Sequence, residues 1–207
     1  MTLLAFRVRA ARPTDVPALM RFKRLLAESE DGLHTVRATA ADWLRDAFGP
    51  QAGFAALVAE AGYKRGLIGM ATYSERIITG WSGPVVFLQD LFVEAAYRRN
   101  GVARAMIARV AAHAKTIGSP MVELSVRADN PAQLLYQQSG FQVLAPCPLT
   151  CRPGRRSPRS PPATTTICRS LVSSSFRIAI DLGRIRDRLS KVQVGNSRLD
   201  WRQVRSP

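Results

Sequence analysis

Arg98, Arg99, Asn100 and Gly101 stand together, followed by Val102, Ala103 and Arg104. They follow the hydrophobic run VVFLQDLFV and open the helical pattern AMIARVAAHAK. Small residues at such a turn let the backbone come close to a ligand. The first N–H groups of the helix have no partners within it, and the positive end of its macrodipole lies at the same place. With arginines adding charge, the combination is a site for a phosphate or pyrophosphate. The spacing is Arg-x-x-Gly-x-Ala, which is neither a Rossmann fingerprint nor a P-loop, and no Gly-Lys-Ser/Thr follows. The turn is suited to a diphosphate held without a Walker-type lysine.

The surrounding elements follow from periodicity and breakers. Leu3 to Arg9 alternates as a half-buried strand does. Arg12-Pro13-Thr14-Asp15 starts a helix, with Thr14 as its N-cap, and Val16, Leu19, Met20, Phe22 and Leu26 carry the helical spacing to about Glu30. Gly32 breaks it. A second short helix follows Thr39, with Trp43, Leu44 and Ala47 on one face, and stops at Gly49-Pro50. Phe54–Glu60 and Leu67–Ile78 read as a hairpin around Gly62-Tyr63-Lys64-Arg65-Gly66. Trp81-Ser82-Gly83-Pro84 turns the chain into the central strand from Val85. After the central helix come a strand at Met121–Val126 and a short helix over Asn130–Ser139 ended by Gly140 as its C′ residue. A last strand begins at Phe141–Leu144.

At 207 residues and 46% hydrophobic, the chain has enough apolar material for one domain with a real core. No apolar run reaches the ~18 residues that span a bilayer, so a membrane protein is not expected. Arg7 and Arg9 interrupt the start too soon for a signal peptide, which points to the cytoplasm. The charge is uneven: residues 1–149 hold 17 Lys/Arg against 12 Asp/Glu, and residues 150–207 hold 13 against 3. Two regions follow, a folded domain at 1–149 and a basic Arg/Pro/Ser-rich tail at 150–207, largely disordered. The tail's composition is also what a GC-rich coding region yields when read in a shifted frame. Within it, Ser170–Arg188 is a weakly helical or strand-like patch. Cys147, Cys151 and Cys168 are an odd number without nearby histidines, so neither a disulfide framework nor a metal site is expected.

At Arg98, Gly101 and Ala103 the chain resembles the GNAT superfamily of acyl-CoA N-acyltransferases, whose pyrophosphate-binding pattern is Arg/Gln-x-x-Gly-x-Gly/Ala. A second segment, NPAQLLYQQSGF with Asn130, Tyr136 and Gly140-Phe141, resembles that family's Asn…Leu-Tyr-x-x-x-Gly-Phe. ATAADWLRDAFG, LVAE and GWSGPVVFLQDLFV look more narrowly like the diamine (spermidine/spermine-type) acetyltransferases and their bacterial relatives, over roughly residues 3–144. The resemblance implies an α/β (α+β) fold, a mixed and mostly antiparallel sheet flanked by helices. It also implies a C-terminal strand near 147–158, which this sequence lacks or replaces.

The resemblance further implies acetyl-CoA as cosubstrate and a small primary amine, polyamine- or amino-acid-like, as acceptor. Backbone groups of Leu91, Phe92 and Val93 would pair with the pantetheine, and amides from Arg99 to Arg104 would hold the pyrophosphate. Tyr136 would protonate the departing sulfur. Its alternative is a core aromatic of an amphipathic helix. Asn130 lies near the cofactor in the family pattern, with a spacing to Tyr136 that looks one residue short. The general base is open: the family's Glu-Asp is Gln89-Asp90 here, leaving Asp90, Glu94, a water relay or a less basic amine. Asp90, as the neighbour of Gln89 on a strand, would point to the opposite face. Glu28, Glu30 and Asp31 are either an acidic rim for a cation or a solvated helix end. His34 and His113 read as surface or packing residues.

Two other readings stand beside the enzyme: a related acetyl-CoA-binding protein impaired by loss of the last strand, and a nucleic-acid-binding arm in the basic tail. The tail's few aromatics make nucleic acid the weaker. Family members often pair as dimers through the sheet edge, so the resemblance allows a homodimer here.

Overall fold

The alternation near the start delivers strand β1 (Phe6–Ala10), whose polar side carries Arg7 and Arg9. The computed structural model describes residues 4–62, 66–79, 83–144 and 175–182. The helix after it starts one step later than expected: Pro13–Asp15 form a 3-10 turn and α1 spans Val16–Ser29, with Asp15 and not Thr14 at its N-cap position. The Asp15 carboxylate accepts two bonds from Arg9, at 2.7 and 3.1 Å, and one from the Arg12 N–H at 2.7 Å. A charge-assisted acceptor organises this corner better than a threonine hydroxyl would.

The Arg9 guanidinium holds the Asp15 carboxyl below its usual range, against the opposing effect of burial. A depressed pKa stabilises the fold above the unfolded carboxyl value and loses that contribution as pH falls through the folded one. Asp15→Ala is expected to cost about 2 kcal/mol at neutral pH, since Glu60 still reaches Arg9 at 3.3 Å. In urea melts the gap between wild type and variant should be full above about pH 4 and shrink below it. A gap constant from pH 2 to pH 7 would contradict this account.

Helix α2 (Ala40–Phe48) is capped by Thr39, whose side chain accepts from the Asp42 N–H while the Asp42 carboxylate accepts from the Thr39 N–H. Trp43 is buried edge-on against Phe54, ring centroids 5.2 Å apart. Leu44, expected on the same face, is 43% exposed, because neighbours on a helix diverge by about 100°. Strands β2 (Ala55–Ala61) and β3 (Leu67–Ile77) form the expected hairpin. Its tip at Tyr63-Lys64-Arg65, and Trp81-Ser82 of the next turn, lie outside the described residues.

The chain continues through β4 (Pro84–Val93), α3 (Val102–Thr116), β5 (Met121–Arg127) and α4 (Gln133–Gln138). It closes with β6 (Gln142–Val143) and β7 (Ser175–Asp181). Asn130 forms the turn before α4 instead of its first residue: its side-chain oxygen accepts from the Ala132 N–H at 2.9 Å. Gly140 follows the C-cap with φ 94°, as its C′ role requires.

The seven strands form one sheet in the order β1-β2-β3-β4-β5-β7-β6, antiparallel except for the β4–β5 pair. One face packs Val58, Met70 and Phe92 against Leu19 and Phe22 of α1 and Trp43 of α2. The other packs Val86, Leu88 and Leu124 against Met106, Ile107 and Val110 of α3. The sheet position expected to be missing or replaced is filled by β7, drawn from the stretch assigned to the tail. It pairs with β5 from Met121↔Asp181 to Arg127↔Ser175. Its buried Ile178 and Ile180 join the main core, which explains why a short alternating run in a polar, basic stretch becomes a strand. Residues 145–174 and 183–207, with all three cysteines, lie outside the described residues.

Ile180→Ala should therefore lower stability by about 3 kcal/mol, the range for deleting a fully buried isoleucine. Ile77→Ala, at a side chain 78% exposed, should change it by less than about 0.5 kcal/mol. Equal effects of the two substitutions in denaturant melts would show that β7 is not part of the core.

Candidate functional site

The parallel pairing of β4 with β5 is short. Only Val86↔Val122 and Phe87↔Glu123 stand in register, after which the two strands part. The gap widens toward the carboxyl ends of both strands, the usual place for a ligand crevice in a sheet with parallel pairs. A cleft of about 1050 Å³ opens there. Gln89 to Val93 line one wall and Ser125 to Arg127 the other, and the turn before α3 and helix α4 complete it.

A bulge decides which β4 side chains reach the cleft. Thr72 is registered with Asp90 and Tyr73 with Leu88, so Gln89 is an extra residue in β4. It resets the alternation: Val86 and Leu88 face α3, and so do Leu91 and Val93. Gln89 and Asp90 consequently share the α1 face, where Gln89 donates to Ser74 at 3.4 Å and Asp90 accepts from Thr72 at 2.8 Å. The expectation that these neighbours point to opposite faces is corrected by the bulge, which no strand-period argument reveals. Gly69 helps to set the close β3–β4 approach: a Cβ there would lie 2.6 Å from the Phe92 carbonyl oxygen.

The basic end of the cleft is the turn before α3. Gly101 has φ 81° at the N-cap of α3, and Arg99 has φ 62°, rare for a residue with a side chain. Two left-handed residues around Asn100 turn the chain sharply into the helix, so that Gly101, Val102, Ala103 and Arg104 border the cleft. A Cβ on Gly101 would meet nothing within 4 Å, leaving the approach to its backbone open. Arg98 and Arg99 line the same end. The Arg98 Nε donates to the Val93 carbonyl at 2.9 Å, tying the loop to the end of β4. Asn100 differs from its neighbours: its amide donates to the carbonyls of Tyr97 and Arg98, at 3.3 and 2.9 Å, and is not part of the lining.

The opposite end is acidic. Glu30 and Asp31, where α1 ends, line the cleft, whereas Glu28 does not. Asn130 donates to the Glu30 carboxylate at 3.4 Å, and Arg127 reaches the Glu30 carbonyl at the same distance while paired with Asp129 at 2.6 Å. These contacts carry the end of α1 across to the β5–α4 loop. Asp90 is 2.6 Å from Lys23 of α1, so both of its oxygens are engaged. Glu94 is held by Arg21 at 2.6 Å and stands outside the lining.

Tyr136 lines the cleft from α4, 9% exposed, with its ring edge-on to Phe141 at 5.7 Å. Burial, with added repulsion from Glu30 and Asp90, pushes its phenol up to about 12. His113 packs against Tyr73 and bonds to Glu75 at 2.9 Å, away from the cleft. Sequence reasoning missed Lys23, Thr72 and Arg127. Lys23 has a local signal, since it shares a helical stripe with Leu26 and Glu30, but its partner lies 67 positions away.

Comparison with known proteins gives this geometry a family. The model of the acetyltransferase (GNAT) family matches residues 19–141. Mouse (Mus musculus) thialysine N-epsilon-acetyltransferase is 34% identical over 145 residues, covering 67% of this chain and 85% of that protein. Human (Homo sapiens) spermidine/spermine N(1)-acetyltransferase-like protein 1 is 31% identical over 138 residues, 65% of this chain, and the chain spans only 20% of its length. Among solved structures, a Vibrio cholerae spermidine N-acetyltransferase chimera superposes with TM-score 0.59 at 17% identity, covering 88% of this chain and 99% of that one. An aminoglycoside N-acetyltransferase in complex with CoA gives 0.54 at 24%, covering 67% and 89%. With the matched family model spanning β4, the Arg-x-x-Gly-x-Ala turn and Tyr136, the chain belongs to the GNAT acetyltransferase family.

Proposed function

We propose that this chain transfers the acetyl group of acetyl-CoA to a primary amine of a small molecule, by direct attack with both substrates in the cleft between β4 and β5. The observation that carries the reading is the cleft's polarity. One end has arginines and the open backbone of the α3 N-terminus, the other has carboxylates, and Glu30 and Asp90 are close enough to the buried Tyr136 to raise its phenol. A diphosphate belongs at the first end and a cationic amine at the second.

The acetyl thioester supplies an activated carbonyl; the chain supplies its placement. The edge of β4 beyond Phe87 lacks registered pairing to β5, so Leu91, Phe92 and Val93 can pair with an extended pantetheine and direct an N–H at the carbonyl. The first amides of α3, Val102 to Arg104, with Arg98 and Arg99, hold the pyrophosphate. Asn100 serves indirectly, by bracing the loop, and Asn130 by joining the acceptor rim to the cofactor side. The acetylating unit on this reading is residues 1–149 together with β7.

Tyr136 stands ready to donate to the sulfur. Its pKa of about 12 keeps the phenol neutral throughout the physiological range. A phenol raised that far is a weaker acid than a thiol near ~8.5, so full transfer to the sulfur is disfavoured. Tyr136 instead keeps its proton and donates a hydrogen bond to the sulfur as the C–S bond breaks, and the thiolate takes its proton from solvent as coenzyme A departs. Asp90, paired with Lys23 and bonded to Thr72, ties α1 to the sheet at the acceptor side. The nitrogen's proton leaves through water at the open acceptor end.

The test is thiol release from acetyl-CoA by full-length protein across a panel of primary amines, amino acids and polyamines. Amine-dependent release with a matching acetylated product is expected. No release with any amine, from folded protein that binds acetyl-CoA, would favour the impaired binding protein.

A further inference from the structure

The acceptor side of the cleft is acidic by composition, yet two of the four carboxylates that line it are already neutralised. Asp90 pairs with Lys23 at 2.6 Å, Asp129 with Arg127 at 2.6 Å, and Glu123, beside the cleft on β5, with Arg177 at 3.2 Å. Of the carboxylates that line the cleft, Glu30 and Asp31 hold no ion pair among the described residues. The Asp90 pair is the inner one. Its carboxylate side chain is 14% exposed and Lys23 34%, and Thr72 takes the second oxygen. The carboxylate keeps lone pairs on both oxygens, but its charge is already matched: Lys23, behind the lining, offsets the attraction of Asp90 for a ligand ammonium and repels a second cation beside it.

Resting on the amine-acceptor reading above, we infer that Lys23 sets the charge of the amine this cleft accepts. With Asp90 neutralised, a second cationic centre beside Asp90 is refused, and one further along the cleft is met by Glu30 and Asp31. Lys23 and Glu30, the C-cap of α1, are seven positions apart, about 10 Å along the helix. The substrate class is therefore a primary amine that is otherwise uncharged nearby, with any further positive charge well removed. Short diamines and the closely spaced charges of short polyamines fall outside it.

The test uses two ligands of equal chain length, n-propylamine and 1,3-diaminopropane, titrated calorimetrically into full-length protein saturated with coenzyme A. Wild type should bind propylamine better than the diamine. In Lys23→Met, and in Lys23→Gln as a second neutral variant, diamine affinity should rise about tenfold while propylamine stays within about threefold. Lys23→Arg should keep the wild-type order, because the charge and its partner are retained. An unchanged diamine-to-monoamine ratio in both neutral variants overturns the inference, as does a shift in Lys23→Arg equal to theirs. If neither amine binds any form while coenzyme A does, the amine-acceptor reading itself falls, and this inference with it.

Discussion

Tyr136→Phe is expected to lower kcat by about 10²- to 10³-fold, the usual contribution of a positioned hydrogen-bond donor, and to leave the affinity for acetyl-CoA nearly unchanged. The substitution removes one oxygen and keeps the ring against Phe141, so stability should move by less than about 1 kcal/mol. The pH profile adds a sharper criterion. A phenol raised to about 12 stays protonated below that value, so Tyr136 should contribute no falling limb to kcat between pH 6 and pH 10. A limb near pH 9 that vanishes in the phenylalanine variant would show that the group titrates far lower than its burial dictates. A kcat unchanged by the substitution would return Tyr136 to the role of a core aromatic.

Gly101→Glu is expected to weaken acetyl-CoA binding by about 100-fold or more. Two causes act together. The residue sits at φ 81°, where a side chain costs about 1 kcal/mol, and its Cβ points into unfilled space bordering the cleft. A carboxylate there occupies the anion site and repels a diphosphate. Gly101→Ala separates the two, since it carries the backbone cost alone; its affinity should fall by less than about tenfold. Equal losses in the two variants would mean that conformation, and not charge at the helix start, governs this end of the cleft.

The parts of the site read correctly from sequence are those whose partners are near in the chain. The turn from Arg98 to Arg104 combines a strand end, a glycine and a helix start within a few residues, and Tyr136 is followed four positions later by the glycine that ends its helix. Most strands and helices were legible for the same reason. What escaped depended on distant partners. The bulge at Gln89 arises from the β3–β4 register and turns Asp90 to the same side as its neighbour. Lys23 meets Asp90 only once α1 lies across the sheet. Strand β7 shows the limit most clearly. Ser175–Asp181 stands in a basic, polar stretch, and its neighbour in the sheet, β5, ends nearly fifty residues earlier. The alternation of Ile178 and Ile180 was visible, but its place between β5 and β6 was not.

The central claim is that acyl-CoA lies along the unpaired edge of β4 and on the first turn of α3. Hydrogen exchange of the full-length chain, with and without saturating acetyl-CoA, tests it most directly. Protection is predicted for amides of residues 88–93 and 101–104, with little change along β1 and α2. Protection confined to other segments, or none in a folded sample at millimolar acetyl-CoA, would contradict the account.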